Sequence, residues 1–170
     1  WDIPIGSNCK NMAEEISRHN RVLYVNRPLD RISKLKHKED IRTKNRLDSI
    51  KLGKNVLVET IRSLWVFNPR VIMESVNFLP GGSVYNNFNK RNNLKHANEI
   101  HWASNKKKKK NPILFIDNDF FNGLYLKEYL EPQLFVYYIR DYLLSQRYFV
   151  RHGFMAEPQM IRKADLVAAN

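Results

Sequence analysis

Two short polar stretches directly follow apolar runs, and they hold the side chains best suited to chemistry. Arg140-Asp141 follows Gln133–Ile139, and Asp117-Asn118-Asp119 follows Pro112–Ile116. A carboxylate such as Asp141 can accept hydrogen bonds from sugar hydroxyls or take a proton from one. A local ion pair or helix cap is the competing role for Asp141. Asp117 and Asp119 could act with it, although carboxylates on loops are common caps. Paired carboxylates alone do not define a glycosidase, because their separation decides that chemistry. A third stretch, Gly6-Ser7-Asn8, leads into a helix N-terminus. Backbone N–H groups and the helix dipole there favour an anion. The site residues expected to touch substrate are therefore Gly6, Ser7, Asn8, Asn118, Asp119 and Arg140, with Asp141 as base or polar contact. An ordinary capped turn explains Gly6-Ser7-Asn8 equally well.

Other chemistries lack support. There is no GxGxxG and no GxxxxGK[ST], so dinucleotide and P-loop readings have no basis. His19, His37, His96, His101 and His152 form no metal-like spacing, and each reads best as a surface or packing histidine. Ser7 and Ser145 have no hydrolase signature around them. The single cysteine, Cys9, gives neither a disulfide framework nor a zinc site, which fits a reducing compartment. No metal and no cofactor are expected.

The elements that would position these groups alternate. Cys9, Met12, Ala13 and Ile16 fall at helical spacing, so a helix ending near Asn20 is expected, capped by Ser7 or Asn8. Arg21–Asn26 reads as a strand buried on both faces. Residues 27–54 carry ten Lys/Arg against four Asp/Glu and read as an exposed loop or loosely held helix. Asn55–Glu59 and Arg62–Phe67 predict two strands in a hairpin, with the tight connection at Thr60-Ile61. Pro80-Gly81-Gly82 marks a loop. A helix over 84–104 follows, with Phe88, Leu94, Ala97 and Ile100 as core contacts. Lys106–Lys110 reads as a solvated turn. Ile113–Ile116 predicts a buried strand. Asp119 caps a helix carrying Phe120, Phe121, Leu124, Tyr125 and Tyr129, which ends at Glu131-Pro132. After the strand Gln133–Ile139, Pro158 suits the first turn of a helix reaching Lys163. Asp165–Ala169 is the last strand.

This alternation predicts an α/β fold, an open and mostly parallel Rossmann-like sheet with helices on both faces. Residues 1–170 are read as one such domain. In these sheets ligands bind beyond the carboxyl ends of the strands. That edge would collect Ile5-Gly6-Ser7-Asn8, Asn26-Arg27-Pro28, Pro80-Gly81-Gly82, Asp117-Asn118-Asp119 and Arg140-Asp141-Tyr142. The scaffold requires Val22–Val25, Ile113–Ile116 and Leu134–Ile139 to lie side by side in one direction. Doubly wound sheets also begin with a strand that becomes central, whereas this sequence opens on a loop and a helix. A first strand before Trp1 is therefore expected.

Composition bounds the partners. Hydrophobic residues make up 43% and aromatics 12%, enough for a packed core. No secretory leader and no membrane-length apolar run is visible, so a cytoplasmic protein is expected. Lys+Arg number 29 against 17 Asp+Glu, a formal charge of +12, which attracts nucleic acid, anionic lipid or phosphorylated substrates. The cationic segments lack interleaved aromatics and a nucleic-acid-binding motif, so nucleic acid ranks below peripheral contact with an anionic membrane.

Several segments in order resemble the N-terminal, acceptor-side half of GT-B glycosyltransferases, particularly bacterial enzymes of cell-envelope polysaccharide synthesis. Asn11–Pro28 is similar to that family's first helix and second strand, a basic turn leading to Val22-Leu23-Tyr24-Val25 and a proline. Phe78-Leu79-Pro80 resembles the L-P before its next helix. Phe135–Tyr142 looks like its V-Y-D-x-x-D-D element, with Tyr138 and Tyr142 at the first and last Asp and only Asp141 matching. Glu157–Asp165 looks like its E-x(n)-A-D-x-V element, the point where the first domain hands over to the second. The resemblance implies a sugar-nucleotide donor bound mainly by a second domain following Asn170, a saccharide or lipid-linked acceptor on this half, and association with the inner face of the membrane. It implies metal-independent transfer in which helix dipoles and cations stabilise the developing charge. A non-catalytic basic α/β module binding nucleic acid or another polyanion is the rival expectation.

Overall fold

The computed structural model describes residues 1, 8–36, 39–107 and 112–170. Gly6, Ser7 and three residues of the lysine run, Lys108–Lys110, lie outside the described residues. The chain divides into two compact units, Trp1–Met73 with Trp102–Lys107, and Glu74–His101 with Lys108–Asn170. Among the described residues no helix is long and apolar enough to cross a membrane.

The first unit contains α1 (Asn8–Ser17), β1 (Val22–Val25), β2 (Leu29–Asp30), α2 (Arg31–Lys36), α3 (Ile41–Leu52), β3 (Leu57–Ile61), β4 (Leu64–Phe67) and β5 (Ile72–Met73). Its main sheet has the order β1-β4-β3. β1 runs parallel to β4, with Leu23 opposite Trp65, and β3 is antiparallel to β4. The hairpin turn falls at Arg62-Ser63, two residues later than the sequence suggests, and Ser63 adopts φ 69° to close it. β2 pairs with β5 in a separate parallel ribbon. β4 is the buried strand here, with Leu64 and Phe67 fully enclosed. β1 is only half-buried along its length. Helix α1 buries Ala13 and Ser17, while Ile16 of the expected apolar stripe is exposed. The described part of segment 27–54 holds β2, α2 and α3. Thr43, Arg46 and Ser49 of α3 are buried, and the Arg46 guanidinium donates to Asn68 Oδ1.

The second unit holds most of the chain's long helix α4 (Ser83–Lys106), with β6 (Ile113–Asp117), α5 (Leu126–Leu130), β7 (Leu134–Ile139), α6 (Arg147–Lys163) and β8 (Leu166–Ala169). β6, β7 and β8 form an all-parallel sheet in that order, with Ile113 opposite Leu134 and Val136 opposite Leu166. The unbroken apolar run Leu134–Ile139 suits the central position, where Phe135, Val136 and Tyr137 are buried. Ile113 and Phe115 of β6, which share one face of the strand, are exposed instead; among the described residues β6 is an edge strand. The core gathers Phe120, Phe121, Leu124, Phe135, Tyr137 and Met160.

Several expectations need correction. The described strands do not form one sheet: β1 pairs within the first unit, and only β6 and β7 of the three expected neighbours are hydrogen-bonded together. The α/β character and the largely parallel pairing hold. The predicted helix from Asp119 shortens to α5, since Asp119–Tyr125 forms successive turns in which the Gly123 N–H donates to the Asp119 carbonyl. Helix α6 begins at Arg147, so Pro158 sits in its interior, where it removes the donor that Phe154's carbonyl would otherwise receive.

Gly123 is where packing leaves no room for a side chain. A Cβ there would lie 2.5 Å from Met160 Cε, 2.6 Å from Ile116 Cδ1 and 2.8 Å from the Asp119 carbonyl oxygen. The last contact is backbone and cannot swing aside. Gly123→Ala is expected to destabilise the protein by about 1–3 kcal/mol in urea unfolding. Gly81→Ala, which meets nothing within 4 Å, serves as the control with a change under about 0.5 kcal/mol.

Candidate functional site

The parallel register brings Asp117 opposite Tyr138 at the carboxyl ends of β6 and β7. The chain beyond both ends is polar, and three interactions tie the two loops together. The Asn118 backbone N–H donates to the Tyr138 carbonyl at 2.9 Å, extending the ladder by one rung. Its side-chain Nδ2 donates to the Asp141 carbonyl, also at 2.9 Å. Asn118 reaches this position with φ 57°, a left-handed conformation that asparagine tolerates better than most residues. Arg140 then places its guanidinium between two carboxylates. Nη1 lies 3.0 Å from Asp117 Oδ2, and Nε lies 2.8 Å from Asp141 Oδ2.

The clasp is graded from inside to outside. The side chain of Asp117 is 13% exposed, that of Arg140 29% and that of Asp141 56%. Asp117 anchors the cation, Arg140 orients the outer carboxylate, and Asp141 meets solvent. A planar guanidinium with fixed donors holds this geometry better than an ammonium would. The arrangement can receive hydroxyl or anionic groups of a ligand at Asp141 and Arg140 respectively.

The other expected site residues are placed differently. Asp119 folds back on its own turn: Oδ1 accepts the Asn122 N–H at 3.1 Å and Oδ2 accepts the Asn122 side-chain amide at 2.8 Å. It is a capping residue of the loop, the role carboxylates in loops commonly take. Asn8 is the first residue of α1 in the other unit. Among the described residues no group of three or more His, Cys, Asp or Glu is placed to hold a metal ion.

Behind the clasp, the second unit contains a buried polar layer that sequence reasoning missed. Helix α4 turns Tyr85, Asn89, Asn92, Asn93 and His96 inward, while Phe88 and Leu94 face out. The spacing 85, 89, 92/93, 96 is helical, but it consists of polar residues, so a search for apolar periodicity passes over it. Asn93 explains the choice. Its Nδ2 donates to the Phe121 carbonyl at 3.1 Å and its Oδ1 accepts the Tyr125 N–H at 3.1 Å, satisfying the irregular backbone after Asp119. Asn92 does the same for Glu74, donating to its carbonyl and accepting from its N–H. The His152 ring stacks on Tyr85 with centroids 4.0 Å apart. The Tyr137 hydroxyl donates to Glu157 Oε1 at 3.2 Å, and Asp165 Oδ2 accepts the Phe135 N–H at 2.8 Å. The Glu157 and Asp165 of the family-like element thus brace β7 and β8.

Burial sets the protonation of this layer. It drives the Tyr85 and Tyr137 phenols upward, with the Asp119 charge acting on both in the same direction, so both stay neutral. Burial pushes His96 down to about 4 against the opposing pull of Asp119, and it also lowers His152. Asp165 is held below the usual carboxylate range, first by its hydrogen bond from Lys127 and then by the Phe135 N–H.

No protein family model, no curated protein and no solved structure matches this chain.

His96 gives the site's scaffold a pH dependence. Its folded value lies below its unfolded one, so the unfolded chain binds the extra proton. Stability is full above about pH 6.5 and declines as pH falls toward 4, by on the order of 3 kcal/mol for this group. The lowered Asp165 acts in the same direction but in a lower window, below its ordinary value of 3.8. Urea unfolding at a series of pH values should therefore show a flatter curve between pH 6.5 and 4 for His96→Gln than for the wild type.

Proposed function

We propose that this chain is the acceptor-side half of a glycosyltransferase, which moves a sugar from a nucleotide-sugar donor to a saccharide or lipid-linked acceptor of the cell envelope. The observation that supports it is the Asp117–Arg140–Asp141 clasp at the carboxyl tips of two adjacent parallel strands, where open α/β sheets place ligands. The ordered resemblance of Asn11–Pro28, Phe135–Tyr142 and Glu157–Asp165 to GT-B enzymes points the same way. The reading rests on the second unit alone, where β6 and β7 are the expected side-by-side pair; Val22–Val25 pairs in a different sheet, so the three-strand scaffold expected for it is not formed among the described residues, and this counts against the reading.

In this reading Asp141 accepts the hydrogen bond of the attacking acceptor hydroxyl and receives its proton. Arg140 is a positioning residue for Asp141 and a cationic contact for the acceptor. Asn118 and Asp119 shape the loop that presents them. The donor and its leaving diphosphate belong to a second domain, and charge stabilisation there comes from its cations and helix N-termini.

A second reading has its own observation. Arg18, His19, Arg21 and Arg62 line an open groove of about 670 Å³ in the first unit, with Glu14 as its one carboxylate. A polyanion fits such a groove, and binding to it would weaken steeply with salt.

The two readings separate in one set of assays on the full gene product. Transfer or donor hydrolysis is expected with at least one common nucleotide sugar. Asp141→Asn should lower kcat/KM by at least about a hundredfold and Arg140→Gln by about tenfold or more. No turnover with any donor, together with salt-dependent RNA or DNA binding lost on neutralising Arg18, Arg21 and Arg62, would overturn the transferase reading in favour of the polyanion module.

A further inference from the structure

The β6-β7-β8 sheet has one covered face and one open face. Successive side chains of a strand alternate between the two. Leu114, Ile116, Phe135 and Tyr137 share the face that packs into the core. Ile113, Phe115 and Asp117 of β6 take the other, in register with Leu134, Val136 and Tyr138 of β7. Ile113 is 62% exposed and Phe115 41%, so this face is open over β6. Leu166 of β8, which pairs with Val136, is 54% exposed on the same face.

Aromatic and charged groups meet on this open face. The Phe115 and Tyr138 rings have centroids 6.0 Å apart and are inclined by 42°. The clasp begins beside them at the carboxyl tips. Asp117 pairs with Tyr138 in the register, its carboxylate holds Arg140, and Arg140 holds Asp141. From Phe115 to Asp117 is one strand repeat of two residues, about 6.6 Å. An aromatic floor therefore runs directly into a row of hydrogen-bonding groups.

We propose that Phe115 and Tyr138 form a stacking platform for a pyranose ring whose hydroxyls meet Arg140 and Asp141. The proposal rests on the acceptor-side reading and names the group that this side takes, a sugar ring presented by its C–H face. A pyranose is apolar on its faces and polar around its rim. The negative face of an aromatic ring attracts the polarised C–H groups. The rim hydroxyls then point along the sheet toward the tips, where a carboxylate accepts and a guanidinium donates. A flat nucleobase suits this floor poorly, because two rings inclined by 42° cannot both lie against one plane. A puckered chair, with C–H groups at different heights, touches both. The two rings set acceptor affinity, and Asp141 sets the chemistry.

Binding and turnover are measured separately on the full gene product. Without donor, saturation-transfer NMR with methyl β-glucopyranoside and methyl β-galactopyranoside is expected to place the strongest signal on ring C–H protons. Glucitol, which carries hydroxyls without a ring, is expected to give none. Phe115→Ser and Tyr138→Thr should each weaken pyranoside binding about tenfold, while Tyr138→Phe, which keeps the ring, should change it by less than about twofold. Phe115 is exposed on an edge strand, so Phe115→Ser should keep the wild-type urea midpoint. In the transfer assay Phe115→Ser should raise the acceptor KM about tenfold and leave kcat within about twofold, whereas Asp141→Asn acts on kcat. Pyranoside binding that both ring variants weaken, with no turnover from any donor, would uphold the platform and remove the transferase reading. Turnover with the acceptor KM unmoved in Phe115→Ser would overturn the platform and leave the transferase reading standing. No signal from either pyranoside would overturn the proposal. A blue-shifted Phe115→Trp emission in the absence of sugar would also overturn it, by showing that protein covers this face.

Discussion

Every polar group of the candidate site takes its place from the pairing of β7 on both edges. Leu134–Ile139 is bonded in parallel to β6 on one side and β8 on the other. Parallel strands finish at the same edge, so the loops after Asp117 and Ile139 must emerge together. That requirement brings Asn118 within reach of the Asp141 carbonyl and Arg140 within reach of Asp117. The pairing is itself braced at its opposite end. Asp165 accepts the Phe135 N–H and an ion pair from Lys127, while the Lys127 ammonium also donates to the Lys163 carbonyl. The start of β8 is thereby pinned to the start of β7, and the register at the far tips follows.

The second unit accepts a polar interior to obtain this geometry. Irregular backbone between Asp119 and Leu126 leaves groups that no helix or strand satisfies, and a buried unmade hydrogen bond costs on the order of 1–3 kcal/mol. Asn93 answers from a fully buried position on α4, donating to the Phe121 carbonyl and accepting the Tyr125 N–H, while its amide also donates to Asn89 one turn earlier. Leucine at 93 would fill the space and satisfy none of them. The Tyr137–Glu157 bond and the Tyr85–His152 stack follow the same logic, with polar atoms brought inward because the elements around the site require anchors as well as volume.

What was legible in the sequence follows from the same physics. Continuous apolar runs name their strands, so β4, β6 and β7 stand within a residue or two of where Leu64–Phe67, Ile113–Ile116 and Leu134–Ile139 place them. Arg140 and Asp141 were legible because a charged pair ending a buried run has little to do except face the strand tips. Sheet membership was not legible. Val22–Val25 and Leu134–Ile139 are both short and apolar, and nothing in either states which neighbour it bonds. The inward face of α4 was hidden because its stripe is written in Tyr, Asn and His, and the apolar residues at 88 and 94 pointed to the wrong side. Asp119 had two roles open in the sequence, a cap and a ligand contact, and the structure shows the first of them. A carboxylate that caps its own turn and one that waits for a ligand look alike until Asn122 is seen to occupy both oxygens.

Helix α6 ties the candidate site to the core of the second unit. It begins six residues after Asp141, following the single helical turn Leu143–Ser145. Its inner face is fixed to the sheet by Glu157 beneath Tyr137, so the helix cannot roll to bury Phe154 and Met155 without breaking a buried hydrogen bond. The exposure of Phe154 and Met155 is therefore a consequence of the same contacts that fix the inner face of the helix to β7.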